Sequence, residues 1–195
     1  DVTALTTTQV GALSTSQIGA LTENQLNALD TTDIAVLSTV QIGGLRATQI
    51  EGLSTTFVSA LSTTQVATLT TTNLQQLSAT QLNAMTTTEI VHFSTTQVAN
   101  LTTTQVKGLS TTAVTALSTT QVGAMTTTNL AVLTTTQLNA LDTTDIVTLS
   151  TTQIGNLTVT QVAGLNTTNF AHISTTQIGT LSTTQFQALS DRKST

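Results

Sequence analysis

The side chains of this sequence that could do chemistry are few and far apart. Two carboxylate pairs are spaced by three residues, Asp30 with Asp33 and Asp142 with Asp145. That spacing puts both groups in the first turn of a helix, where unpaired amides and the helix dipole favour negative charge. Capping is the reading this supports. Calcium is the sharper alternative, but it takes about six to eight oxygen ligands and two carboxylates fall well short. His92 and His172 lack a Cys or a second His at ligand spacing, so they are expected on the surface or in a groove rather than in a metal site. No nucleophile elbow and no Gly-rich phosphate loop is present. The expectation is a chain without enzymatic activity and without a cofactor.

The other candidate chemistry is repetitive. Thr pairs such as Thr63-Thr64, Thr87-Thr88, Thr103-Thr104 and Thr127-Thr128 return in a fixed register. If successive repeats align, their hydroxyl and methyl groups form rows on the solvent face. Such rows keep a surface soluble without charge, match an ordered lattice such as ice, or offer sites for O-glycosylation.

The elements that must carry these groups follow from one eight-residue phrase, clear at Ser62-Thr63-Thr64-Gln65-Val66-Ala67-Thr68-Leu69 and repeated from Thr6 to Leu189. Position one is Ser, Thr, Asp or Asn except at Arg46. Position four is mostly Gln, with Asp33, Asn73, Glu89, Asn129, Asp145 and Asn169 as polar relatives and Phe57 and Ala113 as exceptions. Position five is large or β-branched and apolar, and position eight is nearly always Leu. A Ser or Thr followed three residues later by Gln is a capping box, and the apolar residues on either side form a hydrophobic staple. Small residues at positions six and seven suit a tight exit and close approach of neighbours.

One long helix cannot accommodate this pattern. Eight residues at about 100° each carry the apolar pair about 80° past two full turns, so the stripe would wind around the helix. The phrase predicts instead an all-α solenoid, or superhelix, of very short capped helices, one per octad. The alternative is a β-solenoid with two octads, roughly 16 residues, per coil, since Thr, Val and Ile favour strands. Against it, positions five and eight would point to opposite faces of an uninterrupted strand. The solenoid is expected over residues 1–189 as about 24 repeats, with residues 190–195 a tail in which the register fades. The in-register start suggests a fragment of a longer array.

A longer period lies above the octad. Gln-Leu-Asn-Ala returns in the octads that begin at Thr22, Ser78 and Thr134, and the next octads carry Asp33, Glu89 and Asp145 at position four. Gly52, Gly108 and Gly164 share position seven, and Gln is lost from position four in the octads that begin at Ser54, Ser110 and Asn166. The shift is seven octads, a 56-residue period. It reflects either a duplicated block or a whole number of superhelical turns.

Composition narrows the partners. Only 7% of the 195 residues are charged, the formal charge is −5, and Cys and Pro are absent. With no basic patch, nucleic acid is not an expected partner, and no apolar run approaches a membrane span. Arrays such as Leu101-Thr102-Thr103-Thr104-Gln105-Val106 through Leu109 resemble the Thr/Gln-rich octapeptide tracts of very large bacterial secreted and surface proteins, including repeats-in-toxin-like adhesins. The resemblance implies a spacer or scaffold outside the cell, secreted or on the cell surface. A rigid stalk or filament segment is therefore the leading expectation, with self-association or neighbouring repeats as partners. Ice binding through the Thr rows and a peptide- or glycan-binding groove are the alternatives.

Overall fold

The computed structural model describes residues 2–190, with side chains as far as Leu189. A short 3-10 turn at Val2–Ala4 is followed by 23 α-helices, one per octad, and no strand occurs among the described residues. Most helices have five or six residues. The β-solenoid alternative is thereby set aside. The physical reason is the cap: at Ser62, in extended conformation at φ −73° and ψ 159°, the side chain accepts from the Gln65 amide, while Gln65 Oε1 accepts from the Ser62 amide at 2.6 Å.

Each helix ends because the next one begins. Position eight leaves the helical region, as at Leu69 with ψ 125°, and position one is extended too, as at Thr70 with ψ 159°. Two extended residues thus make the connector. No residue, glycine included, has a positive φ among the described residues. The tight exit expected of the small residues is therefore not a left-handed glycine cap, and their role lies in packing.

The coil contains three and a half octads. Side-chain amides at position four reach backbone carbonyls 28 and 31 residues earlier, as Gln65 does to Leu37 at 2.7 Å and to Ile34 at 2.8 Å. Because the shorter of these spans is not a whole number of octads, successive coils are offset by half an octad, like courses of brick. Helix Thr39–Gly43 lies against Thr63–Thr68, three octads on, and helix Thr119–Ala124 against Thr143–Thr148. Each helix therefore bridges the joint between two helices of the preceding coil.

This offset accounts for the longer period. The chain returns to the same side of the superhelix once per coil, but in the same octad position only after two coils, which is seven octads. Equivalent surroundings recur at that spacing whether or not a block was duplicated.

Positions five and eight turn inward and form one continuous apolar column from Val2 to Ile173. Val10, Ile50, Val66, Val98 and Leu138 are completely buried. A single octad buries too little to hold itself, so stability must come from neighbouring coils.

Candidate functional site

The feature that organises the molecule is a seam of glutamines. Each interior Gln at position four is buried beneath the preceding coil, and its amide is used at both ends. In Gln105, Oε1 accepts from the Thr102 amide at 2.8 Å, while Nε2 donates to the carbonyls of Leu74 at 2.7 Å and Leu77 at 2.6 Å. The same pair of carbonyl contacts is made by Gln49, Gln97 and Gln161. The first function was legible as the capping box. The second was not, because it joins residues a whole coil apart that only the superhelix brings together. A helix this short leaves carbonyls unpaired at its end, and the amide of a later octad supplies the missing donor. This explains the preference for Gln over Glu, which would complete the capping box but has no N–H.

Where Gln is absent, the substitutes have a local logic. Asn73 and Asn129 are one methylene shorter and donate to Leu45 and Leu101. Phe57, Ala113 and Asn169 leave the amides of Ser54, Ser110 and Asn166 without their usual acceptor. In each case an Asn of the preceding coil takes over: Asn27, Asn83 and Asn139 accept from those amides at 2.7, 2.8 and 2.8 Å. The same three Asn side chains donate to the carbonyls of Gly52, Gly108 and Gly164. Those glycines meet the preceding coil so closely that a Cβ on Gly108 would lie 2.5 Å from the Ala79 Cβ. Three features of the 56-residue period, the Asn, the Gly and the missing Gln, are thus one contact.

The carboxylate pairs act as caps. Asp30 Oδ1 accepts from the Asp33 amide at 2.8 Å and from the Thr32 hydroxyl, and these bonds hold its carboxyl below the ordinary range. Asp142 caps Asp145 in the same way. Asp33 and Asp145 are buried at position four. No group of three or more His, Cys, Asp or Glu side chains that could hold a metal occurs among the described residues. His92 and His172 are exposed, with Nδ1 2.7 and 2.8 Å from the Thr88 and Thr168 carbonyls.

Burial pushes the Asp145 carboxyl above its ordinary value of 3.8, against the pull of the Asp142 amide and the Thr119 hydroxyl. With the folded-state value raised, its stabilising contribution is present below the unfolded value and is lost as pH rises through the folded one. Asp145→Asn removes the charge and can donate as Asn129 does. The variant should melt above the parent at pH 7 and converge with it near pH 3; a gap that does not change with pH would refute this account.

Arg46 occupies a cap position without an acceptor atom. Gln49 still accepts from its amide at 2.9 Å, and its guanidinium reaches the Leu21 carbonyl at 3.5 Å. Arg46→Ser should add about 0.5–2 kcal/mol by restoring the missing half of the box. Chemical denaturation checks this, with a rise in midpoint at constant slope as the expected result.

The Thr pairs lie outside. Thr64, Thr87, Thr88, Thr103, Thr104 and Thr128 are exposed, while Thr63 and Thr127 are half-buried. The half-octad offset prevents octads from aligning coil on coil. An equivalent Thr returns to the same side only every second coil, roughly 16–20 Å apart at the usual spacing of packed helices. Two shallow outer depressions are lined by Leu21, Glu23 and Arg46, and by Thr103, Lys107 and Val132.

Short helices stacked in uniform coils define a tandem-repeat helical solenoid. Five stretches in two overlapping groups, residues 1–31 and 26–63, then 79–111, 90–127 and 98–135, match the ALTTAQ repeat. They cover more than half of the chain, which belongs to the ALTTAQ repeat family. No match is found among curated proteins. No helix among the described residues is long and apolar enough to cross a membrane.

Proposed function

We propose that the chain is a rigid, non-catalytic spacer, a stalk or filament segment of an exported bacterial surface protein of adhesin type. The observation that carries this reading is the glutamine seam, which ties each coil to the one before it through buried hydrogen bonds. Such ties resist bending as well as unfolding, and the uniform repeat lets length be set by the number of octads. Export and the surface setting rest on the resemblance of the octads to such tracts.

At the usual 8–10 Å between packed helices, the described residues make a short rod roughly 60 Å long. Small-angle X-ray scattering tests the reading directly. Inserting one further 56-residue block should lengthen the particle by roughly 16–20 Å at constant cross-section. An unchanged maximum dimension, or a thicker particle, would overturn the spacer function.

Ice binding is the second reading, favoured by the exposed third-position Thr side chains. The wide, staggered spacing of equivalent residues offers a poorer lattice match than aligned rows would. Thermal hysteresis and recrystallisation inhibition both at buffer level would eliminate it.

A further inference from the structure

We propose that Asn100 and Asn156 are N-glycosylation sites, so that the rod carries glycans along one of its sides. The inference goes beyond the spacer reading and rests on it only for export. Asn100, Asn156 and Asn166 are each followed two residues later by Thr, the acceptor pattern for a sugar on an asparagine amide. The octad creates this pattern wherever Asn stands at position seven, because positions eight and one then supply Leu and Thr. Position seven is Asn at Asn100 and Asn156 alone.

The structure places these two alike. Each is exposed and ends its helix, Thr95–Ala99 in one case and Thr151–Gly155 in the other. Asn100 Nδ2 donates to the Thr96 carbonyl at 2.9 Å, and Asn156 Nδ2 donates to the Thr152 carbonyl at 2.8 Å. An asparagine amide carries two N–H groups, and this bond uses one of them. A sugar can replace the other hydrogen while the bond to the helix end survives. Thr102 and Thr158 follow in extended backbone, with ψ 154° and 157°, so the acceptor pattern lies across the connector rather than inside a helix.

Asn100 and Asn156 are two coils apart and face the same side, roughly 16–20 Å from one another along the axis. Their neighbours one coil away, Thr72, Thr128 and Thr184, are exposed and uncharged. A sugar on either amide therefore stands over open surface. Asn166 is placed differently. It caps the start of its helix and is half-buried, with Oδ1 accepting from the Asn169 amide at 2.7 Å and Nδ2 3.5 Å from the Asn139 carbonyl of the preceding coil. Its backbone amide donates to Asn139 Oδ1 at 2.8 Å. A sugar there would push apart the contact that replaces the missing Gln, so Asn166 should stay bare.

The reaction takes a transferase and a sugar activated as its glycosyl diphosphate. Nδ2 bonds to the anomeric carbon as the bond from that carbon to the phosphate oxygen breaks. The diphosphate leaves, and Nδ2 gives up one proton to the transferase.

Mass spectrometry of the full chain, purified from the cells that make it after separation of surface and cytoplasm, tests this. The intact mass should show two glycans per chain, and fragmentation should place them on Asn100 and Asn156 with Asn166 unmodified. Asn100→Gln or Asn156→Gln should leave one glycan, and the two together none. Position seven already accommodates Gln76, so the circular dichroism spectrum of these variants should not change. Surface chain with Asn100 or Asn156 bare would overturn the inference while leaving the spacer reading intact. Sugar on Asn166 to the same extent as on the other two would overturn it as well, since accessibility would then select nothing. Chain confined to the cytoplasm and bare at all three would defeat both.

Discussion

Gln105→Met is expected to destabilise the chain by about 2–4 kcal/mol, although it removes no charge and changes little volume. The side chain is 3% exposed and makes three hydrogen bonds to the backbone at once, to the Thr102 amide and to the Leu74 and Leu77 carbonyls, besides accepting from the Thr102 hydroxyl at 3.2 Å. Methionine would fit the space but leave the Thr102 amide and the Leu77 carbonyl without partners and the Leu74 carbonyl with the Leu77 amide alone, and each orphaned buried group costs about 1–3 kcal/mol, discounted here for relaxation. Gln105→Glu separates the two roles of the amide. It keeps the capping box and loses both carbonyl contacts, so at pH 7 its cost should match or exceed that of methionine. At acid pH a protonated carboxyl can donate again, and part of the loss should return. Urea denaturation at pH 7 and pH 4 measures both. A loss below about 0.5 kcal/mol for Gln105→Met, the range of an ordinary surface substitution, would refute the seam as a source of stability.

Gly108→Ala is expected to cost about 1–3 kcal/mol by overpacking. The added methyl group would stand 2.5 Å from the Ala79 Cβ, an atom fixed to the backbone that cannot swing aside. The two coils must part, which also stretches the bond from Asn83 Nδ2 to the Gly108 carbonyl, 2.9 Å in the structure. Ala79→Gly supplies the missing room from the other side. The double variant should therefore recover most of the loss, a coupling that a double-mutant cycle of thermal melts would reveal. Gly164→Ala should cost less, since its nearest neighbour is the Thr135 Cγ2, on a side chain that can rotate. Independent, additive effects of Gly108→Ala and Ala79→Gly would show that the pair does not touch.

The local structure is open to reading because its causes are local. A cap and its box partner lie three residues apart, so Ser62 with Gln65 can be recognised without knowing where the chain goes next. The staple residues Leu61 and Val66, both buried, are equally close in sequence. The capping role of Asp30 and Asp142 follows from the same rule. The glycines mislead in part: Gly43-Gly44 suggests a tight exit, yet both residues have ordinary φ and the helix ends at Gly44 near φ −86°. What Gly44 provides is space, since a Cβ there would lie 2.3 Å from Thr15 Cγ2 in the preceding coil.

The helices, their length, their caps and the inward pair of apolar positions could thus be read from the chain alone, since each is set by interactions within about one octad. The 56-residue period was visible there as well, but without its cause. The coil of three and a half octads, the half-octad offset and the second use of every interior glutamine came only with the packed superhelix. The physical reason is that the number of octads per turn depends on how neighbouring coils fit together. That fit is settled jointly by amides such as Gln105 Nε2, carbonyls such as that of Leu77, and the small residues that let the coils approach.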